Sequence, residues 1–144
     1  MRLKFVSLTS LLLLSASTWI HAAPAVDVGE LGISNQTRQS LSFTVNKICS
    51  NDIGDVLGYS IKTVKVTKII KACAESKTCE ILAYDRPNCK GYLIGGVKID
   101  FLNRNMEVIS PINPDDINVG GSIGLYEYNI FFSESFKSNN VAKK

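Results

Sequence analysis

Histidine is nearly absent from this sequence, which contains a single one, His21, among 144 residues. That residue lies at the end of an apolar N-terminal stretch, so the rest of the chain has no imidazole group. Serine and cysteine hydrolases of the usual kind need histidine as a general base, and most zinc enzymes use it as a ligand. The sequence therefore argues against both chemistries and predicts a protein that is not an enzyme.

A large charge imbalance and a second long hydrophobic run are also missing. The chain has 16 Lys and Arg residues against 13 Asp and Glu, and two of the cations, Arg2 and Lys4, lie at the extreme N-terminus. Nucleic-acid-binding proteins normally carry a pronounced basic field, so no nucleic-acid partner is predicted. No later segment is apolar over the length that a membrane span requires, so none is predicted.

The first 25 residues have the pattern of a secretory signal peptide. A short positive start and an apolar stretch that reaches Ile20 precede small residues at the positions read by a signal peptidase, with Ala22 and Ala25 the favoured cleavage sites. The pattern predicts a signal peptide over 1–25 and a secreted, extracellular protein, or a periplasmic one if the source is bacterial. The cysteines would then meet an oxidising environment.

Four cysteines follow, at positions Cys49, Cys73, Cys79 and Cys89. Three pairings into two disulfides are possible, and the spacing alone does not choose among them. Because Cys79 and Cys89 flank a predicted hairpin, we expect the pairs Cys79–Cys89 and Cys49–Cys73. The alternative, a zinc site, lacks the closely spaced cysteine pairs that such sites use.

Short β-prone segments separated by turn-forming residues fill the region 26–134, which predicts one β domain with a sandwich or small-barrel architecture. The strongest strand pattern covers 59–70, where β-branched residues favour a strand over a helix with a stripe of lysines. No long amphipathic helix is predicted. The last residues, 135–144, are rich in Ser, Asn and Lys and predict a disordered polar tail.

One hairpin in this pattern resembles a known family. Tyr84, Cys89 and Gly91 have the spacing of the Greek-key hairpin motif of βγ-crystallin-like domains, whose secreted microbial members include killer-toxin-like proteins. Cys89 stands where that family usually has an aromatic residue. A later acidic loop followed by Ser-Ile and a strand is similar to the family's second signature, so the resemblance covers about 51–128. With the strand pattern, it implies an all-β, disulfide-stabilised Greek-key β-sandwich of a single domain.

The same resemblance implies a calcium site, because that family holds calcium between an acidic pair in one loop and a serine after the other. Calcium prefers carboxylate, carbonyl and hydroxyl oxygens as ligands. The loops here are longer than the family's compact pattern. The matching positions are Asn51, Asp52, Ser60, Asp115, Asp116 and Ser122. No other cofactor is predicted.

The leading prediction of function is a secreted, non-catalytic binding or toxin-like protein that acts on a cell surface, a glycan or a protein partner. A structural calcium-binding βγ-crystallin-like module is the first alternative. A small secreted hydrolase or enzyme inhibitor is the second, since Asp52 with Asp55, or Asp115 with Asp116, could supply the two carboxylates that glycoside hydrolysis needs.

Two surface features bear on these alternatives. The triplet that begins at Asn35 is an N-glycosylation sequon, which predicts an exposed, modified Asn35 if the source is eukaryotic. Aromatic side chains could also form a binding platform if exposed, although alternate spacing places Tyr126 and Tyr128 in the core. Tyr59 and Tyr92 follow loops or turns and are better surface candidates. The remaining platform candidates are Phe131 and Phe132.

Overall fold

The computed structural model describes residues 29–73, 76, 78–109, 116–125 and 127–135. The predicted signal peptide and nearly all of the predicted tail lie outside these residues. The described part contains nine strands and one α-helix. They are β1 Glu30–Gln36, β2 Ser42–Val45, β3 Ile48–Cys49, β4 Ser60–Lys65, α1 Val66–Cys73, β5 Thr78–Tyr84, β6 Leu93–Asp100, β7 Asn105–Ile109, β8 Ile117–Ile123 and β9 Glu127–Glu134.

The strands form two sheets. A five-stranded antiparallel sheet has the order β3-β2-β5-β6-β7, in which β5, β6 and β7 follow one another through short turns. A four-stranded sheet has the order β4-β1-β9-β8 and joins the first and last strands, β1 and β9, in parallel. Neither sheet taken alone has the strand order of a Greek key. In the five-stranded sheet, the strand beside β5 is the earlier β2 and not a later strand that returns after β7.

The hydrophobic core lies between the two sheets. Alternate residues of β1 and β9 are fully buried, among them Leu31, Ile33 and Ile130. Across the interface, the rings of Phe43 on β2 and Phe132 on β9 meet edge to face with centroids 5.7 Å apart. Such paired faces are the packing of a β-sandwich. The prediction of a small, all-β, disulfide-stabilised domain is confirmed. No helix in the described ranges has the length and hydrophobicity of a membrane span.

The predicted strand over 59–70 is wrong in its second half. Strand β4 ends at Lys65, and α1 takes up the chain at Val66. Val66, Ile69 and Cys73 are buried, and their spacing of three and four residues places them on one face of a helix. Burial of this face outweighs the weak β preference of the branched side chains, so propensity alone gave the wrong element.

The predicted cysteine pairing is also wrong, because the structure pairs Cys49 with Cys89 and Cys73 with Cys79. In the β5–β6 hairpin, Cys79 lies opposite Ile99, far from the turn that contains Cys89. Cys79 is buried towards the core, where the end of α1 brings Cys73 beside it. The same hairpin thus separates the two cysteines that it was expected to join.

The prediction of an exposed Asn35 that carries a glycan is wrong for the folded domain. Asn35 is completely buried at the end of β1. Its Nδ2 donates hydrogen bonds to the carbonyl oxygens of Gln39, Val56 and Leu57, at 2.8, 3.0 and 3.1 Å. Its Oδ1 accepts from both the backbone N and the Oγ1 of Thr37. Every polar atom of the amide is engaged, so no nitrogen is free to carry a glycan.

Candidate functional site

The outer face of the four-stranded sheet has a centre without charge. Along each strand the residues alternate between the core and this outer face. Eleven neighbouring outward positions carry no ionisable side chain, and we call them the neutral face. They are Gly32, Ser34 and Gln36 on β1, Ile61 and Thr63 on β4, Asn118, Gly120 and Ser122 on β8, and Asn129, Phe131 and Ser133 on β9.

The register of the strands places the apolar members of the neutral face in one row. Ser34 pairs with Ile61 on one side and with Phe131 on the other, and Phe131 pairs in turn with Gly120. Ile61 is 75% exposed and Phe131 is 42% exposed. A depression of about 530 Å³ lies here, a volume within the range of small-molecule sites. It is lined by Gly32, Ser34, Gln36, Ile61, Asn129, Ile130, Phe131 and Ser133.

Two glycines allow the side chains of β9 to lie close to the sheet. The outer end of the Phe131 ring lies over Gly120, where any Cβ atom would overlap the ring. The Asn129 amide lies over Gly32 in the same way, and a Cβ there would come within 2.6 Å of Asn129 Oδ1. Neither glycine has a positive φ, so space and not backbone conformation requires them. Gly120 therefore fixes where the exposed ring lies.

Charged residues stand at the two ends of the neutral face. At one end, Lys65 lies opposite Glu30 on the neighbouring strand. At the other, Arg38 Nε lies 3.6 Å from Glu134 Oε1. A hydrogen bond with the Tyr59 side chain, and then the charge of Glu134, raise the pKa of Arg38 above its ordinary value. These groups frame an uncharged centre.

The other sheet offers a contrast. On the outer side of the five-stranded sheet, Lys98 of β6 lies between Glu80 of β5 and Glu107 of β7. Opposite charges that face one another across strands are a common solution for a solvated surface. The neutral centre of the four-stranded sheet is therefore a local property and does not extend over the whole domain.

The structure does not bring the predicted calcium ligands together. Ser60 lies on β4 and Ser122 on β8, the two edges of the four-stranded sheet, which corresponds to roughly 14 Å across three strand spacings. Ser60 Oγ donates to the Leu57 carbonyl. Ser60 opens its strand, whereas Ser122 lies near the end of its own. The two serines therefore occupy different positions in their strands.

The acidic members of that set are also dispersed. Asp52 Oδ1 lies 3.7 Å from Lys68 Nζ on α1, and Asn51 lies beside it in the same exposed turn. Asp116 precedes β8, at the opposite end of that strand from Ser122. Asp115 lies outside the described residues. Within the residues described, no three His, Cys, Asp or Glu side chains group as metal ligands do. Calcium binding stays a prediction of the sequence.

The hairpin motif forms a compact tip at the expected turn. Tyr84 ends β5, Cys89 closes a 3₁₀ turn over Pro87–Cys89, and Gly91 follows. A Cβ on Gly91 would overlap the Asp85 carboxylate, whose Oδ1 accepts from the backbone N of Tyr92 at 2.7 Å. The glycine is needed for this close approach and not for its backbone angle, since its φ is not positive. The tip is a structural feature, and the family resemblance stays a prediction.

The aromatic residues divide between core and surface. Tyr128 and Phe132 are fully buried, whereas Phe131, between Ile130 and Phe132 in the chain, faces outward. Tyr59 and Tyr92 are exposed as expected, and Tyr126 lies outside the described residues. Alternation along β9 was the signal for Phe131 in the sequence. The glycine beneath its ring belongs to another strand and could not be paired with it from sequence.

Comparison with known proteins gives a fold and no family. No family model and no curated protein sequence matches this chain. Among solved structures, the chain is similar to the crystal structure of NttC, a type II secretion system substrate of Legionella pneumophila, with a TM-score of 0.52. The two share 17% identity over 71% of this chain and 95% of that one. At this identity the likeness shows the fold alone, and function must be argued from the site.

Proposed function

We propose that this domain is a secreted, non-catalytic recognition protein that binds its partner on a cell surface through the neutral face. One observation carries the proposal: the Phe131 ring is exposed at the centre of eleven neighbouring residues that have no charge. Exposed aromatic and apolar groups within a depression, with polar groups around them, are typical of binding sites.

Export is supported by independent features. Cys49–Cys89 and Cys73–Cys79 are bonds that persist in oxidising compartments and are rare in the cytosol. The N-terminal 25 residues have the composition of a secretory leader. The structural neighbour is itself a substrate of a bacterial secretion system. A secreted protein meets the outer surfaces of cells, which is where we place the partner.

The side chains of the neutral face support the proposal of a binding role in preference to a catalytic one. Its eleven residues offer hydroxyls, amides, an aliphatic group and a phenyl ring, which hold a ligand but supply no general acid or base near neutral pH. At the ends of the face, Glu134 is paired with Arg38 and Glu30 lies opposite Lys65. The neutral face therefore gives no support to the alternative of a small secreted hydrolase.

Retention by cell envelopes tests the proposal. We expect the wild-type domain to sediment together with washed cell envelopes of a Gram-negative bacterium, or with washed plasma membranes of an animal cell line. The Phe131→Ala variant loses about tenfold or more of this retention, because an aromatic residue at the centre of an interface often contributes most of its affinity. Tyr92→Ala is the matched control, since Tyr92 is an exposed aromatic residue (76%) at the tip of the other sheet's hairpin.

Both variants change exposed or half-exposed side chains, so both are expected to melt close to the wild type in circular dichroism. Retention that Phe131→Ala leaves intact, or that Tyr92→Ala removes equally, would place binding elsewhere on the molecule. A wild-type domain that neither kind of envelope retains would refute the proposed role.

A further inference from the structure

We infer that the ligand of the neutral face is a neutral glycan, in which one pyranose ring stacks on the exposed part of Phe131. The inference rests on the proposed function and gives its ligand a chemical class. A pyranose has an apolar side formed by C–H groups and a rim of hydroxyls that both donate and accept hydrogen bonds. The neutral face offers a counterpart to each of these two features.

The apolar counterpart is the row of Ile61, Ser34 and Phe131. Ile61 and Phe131 lie on the strands either side of Ser34, which corresponds to roughly 10 Å between their backbones. That separation leaves room for one sugar ring above Ser34. The Phe131 ring lies with its outer end over Gly120 and is partly exposed to solvent. Aromatic faces carry negative charge density that attracts the weakly positive hydrogens of C–H groups.

The polar counterpart is a set of free hydroxyl and amide groups along the same depression. Ser34, Gln36, Asn129 and Ser133 line it beside Phe131. Within the described part of the chain none of these four side chains has a hydrogen-bond partner. Amides and hydroxyls both donate and accept, which matches the dual character of sugar hydroxyls.

The absence of charge on these eleven positions selects among ligands. Phosphate, sulfate or uronate groups would need the Lys or Arg partners that recognise anions elsewhere in proteins. The cations nearest the face, Lys65 and Arg38, stand at its ends, and both face carboxylates, Glu30 and Glu134. A protein partner would more often use a broader apolar centre than one phenyl ring and one isoleucine. An uncharged polysaccharide therefore fits best.

Affinity electrophoresis through immobilised neutral polysaccharides tests the inference directly. The panel contains polymers of glucose, mannose, galactose and N-acetylglucosamine, with polygalacturonate and sulfated dextran as anionic counterparts. We expect at least one neutral polymer, and neither anionic one, to retard the wild-type domain. Retardation is the same at about 0.05 M and about 0.5 M salt, because binding without ion pairs is not screened.

Variants at three positions, Phe131, Gly120 and Tyr92, locate the bound sugar. Phe131→Ala weakens retardation about tenfold or more, whereas Phe131→Trp preserves it, since indole also stacks. Gly120→Ala keeps the ring but displaces it, and so weakens retardation without a matching loss of thermal stability. Tyr92→Ala leaves retardation unchanged. The one tryptophan of the sequence, Trp19, lies in the predicted leader, so the indole introduced by Phe131→Trp is alone in the mature variant and its fluorescence reports the sugar directly.

The result that overturns this inference differs from the one that overturns the proposed function. If cell envelopes retain the domain through Phe131 but no neutral polymer does, the recognition role stands and the glycan assignment falls. Binding only to the anionic polymers, binding that high salt abolishes, or failure of Phe131→Ala to weaken binding to a neutral polymer would also refute the glycan assignment.

Discussion

Replacing Asn35 with alanine lowers the free energy of unfolding by about 2–4 kcal/mol, a large loss for a single substitution. The reason is the number of groups that one buried amide satisfies. Three backbone carbonyls accept from Nδ2, and the N–H and hydroxyl of Thr37 donate to Oδ1. Alanine removes all five of these hydrogen bonds. The three carbonyls keep one other donor each, namely Thr37 Oγ1, Leu41 N and Ser60 Oγ, but the buried N–H of Thr37 loses its partner, which costs roughly 1–3 kcal/mol.

Urea denaturation followed by circular dichroism measures this loss. Gln39→Ala is the matched control, because it lies in the same turn, has an exposed side chain and keeps the backbone carbonyl that Asn35 contacts. We expect it to stay within about 0.5 kcal/mol of the wild type. A cost below about 1 kcal/mol for Asn35→Ala would contradict the buried, fully hydrogen-bonded position of the Asn35 amide and would favour a surface position for this residue.

Removing the Cys49–Cys89 bond costs about 4 kcal/mol, about twice the cost of removing Cys73–Cys79. The first bond joins residues 40 apart in sequence, and the second joins residues only 6 apart. In the chain-entropy description, a cross-link stabilises the native state by restricting the unfolded chain, and this restriction grows with the length of the closed loop. The longer loop gives about 3.9 kcal/mol and the shorter about 2.2 kcal/mol.

The double variants Cys49→Ser/Cys89→Ser and Cys73→Ser/Cys79→Ser serve as controls for one another, since each keeps one bond. Their free energies of unfolding are compared in urea without reductant. Peptide mapping of the unreduced protein establishes the pairing independently. A larger loss for the short-loop variant, or a Cys79–Cys89 peptide in the map, would contradict the connectivity of the structure.

The sequence predicts the local parts of this fold well. Strand patterns in the sequence mark β2, β5 and β9, and the Asp-Arg-Pro-Asn run marks the turn between β5 and β6. These signals depend on neighbouring residues only, so they are readable without a partner. Alternation along β5 and β9 identifies which face of each strand is buried, and so the all-β sandwich class. Strand β1 has no such pattern and is not predicted.

The wrong predictions concern features that depend on contacts between elements of the fold and not on the local sequence pattern. Helix α1 forms from residues with strand propensity because the sandwich offers a place to bury Ile69. Cys73 reaches Cys79 only because that helix returns the chain towards β5. Asn35 carries a sequon in the sequence, but the segment that buries its amide, around Val56, comes 21 residues later. Local pattern contains none of this information.

The neutral face illustrates the same limit for the functional site. Its central row takes one residue from each of four strands, and two of those strands, β1 and β9, stand at opposite ends of the described chain. The alternation of residues along β9 identifies Phe131 in the sequence as an aromatic residue on the outward side of its strand. That Gly120 lies beneath it, and that Ser34 and Ile61 lie beside it, depends on the parallel β1–β9 pair, for which the sequence carries no local signal.

A neutral oligosaccharide titrated into the isotopically labelled domain tests most directly whether the neutral face binds. The oligosaccharide is taken from the polymer that retards the protein most, and the backbone amide chemical shifts are followed by NMR. We predict that the largest changes cluster on β9 around Phe131 and on its neighbours Ser34 and Gly120. Changes centred on the β5–β6 tip around Tyr92, or no saturable changes at all, would contradict binding through this face.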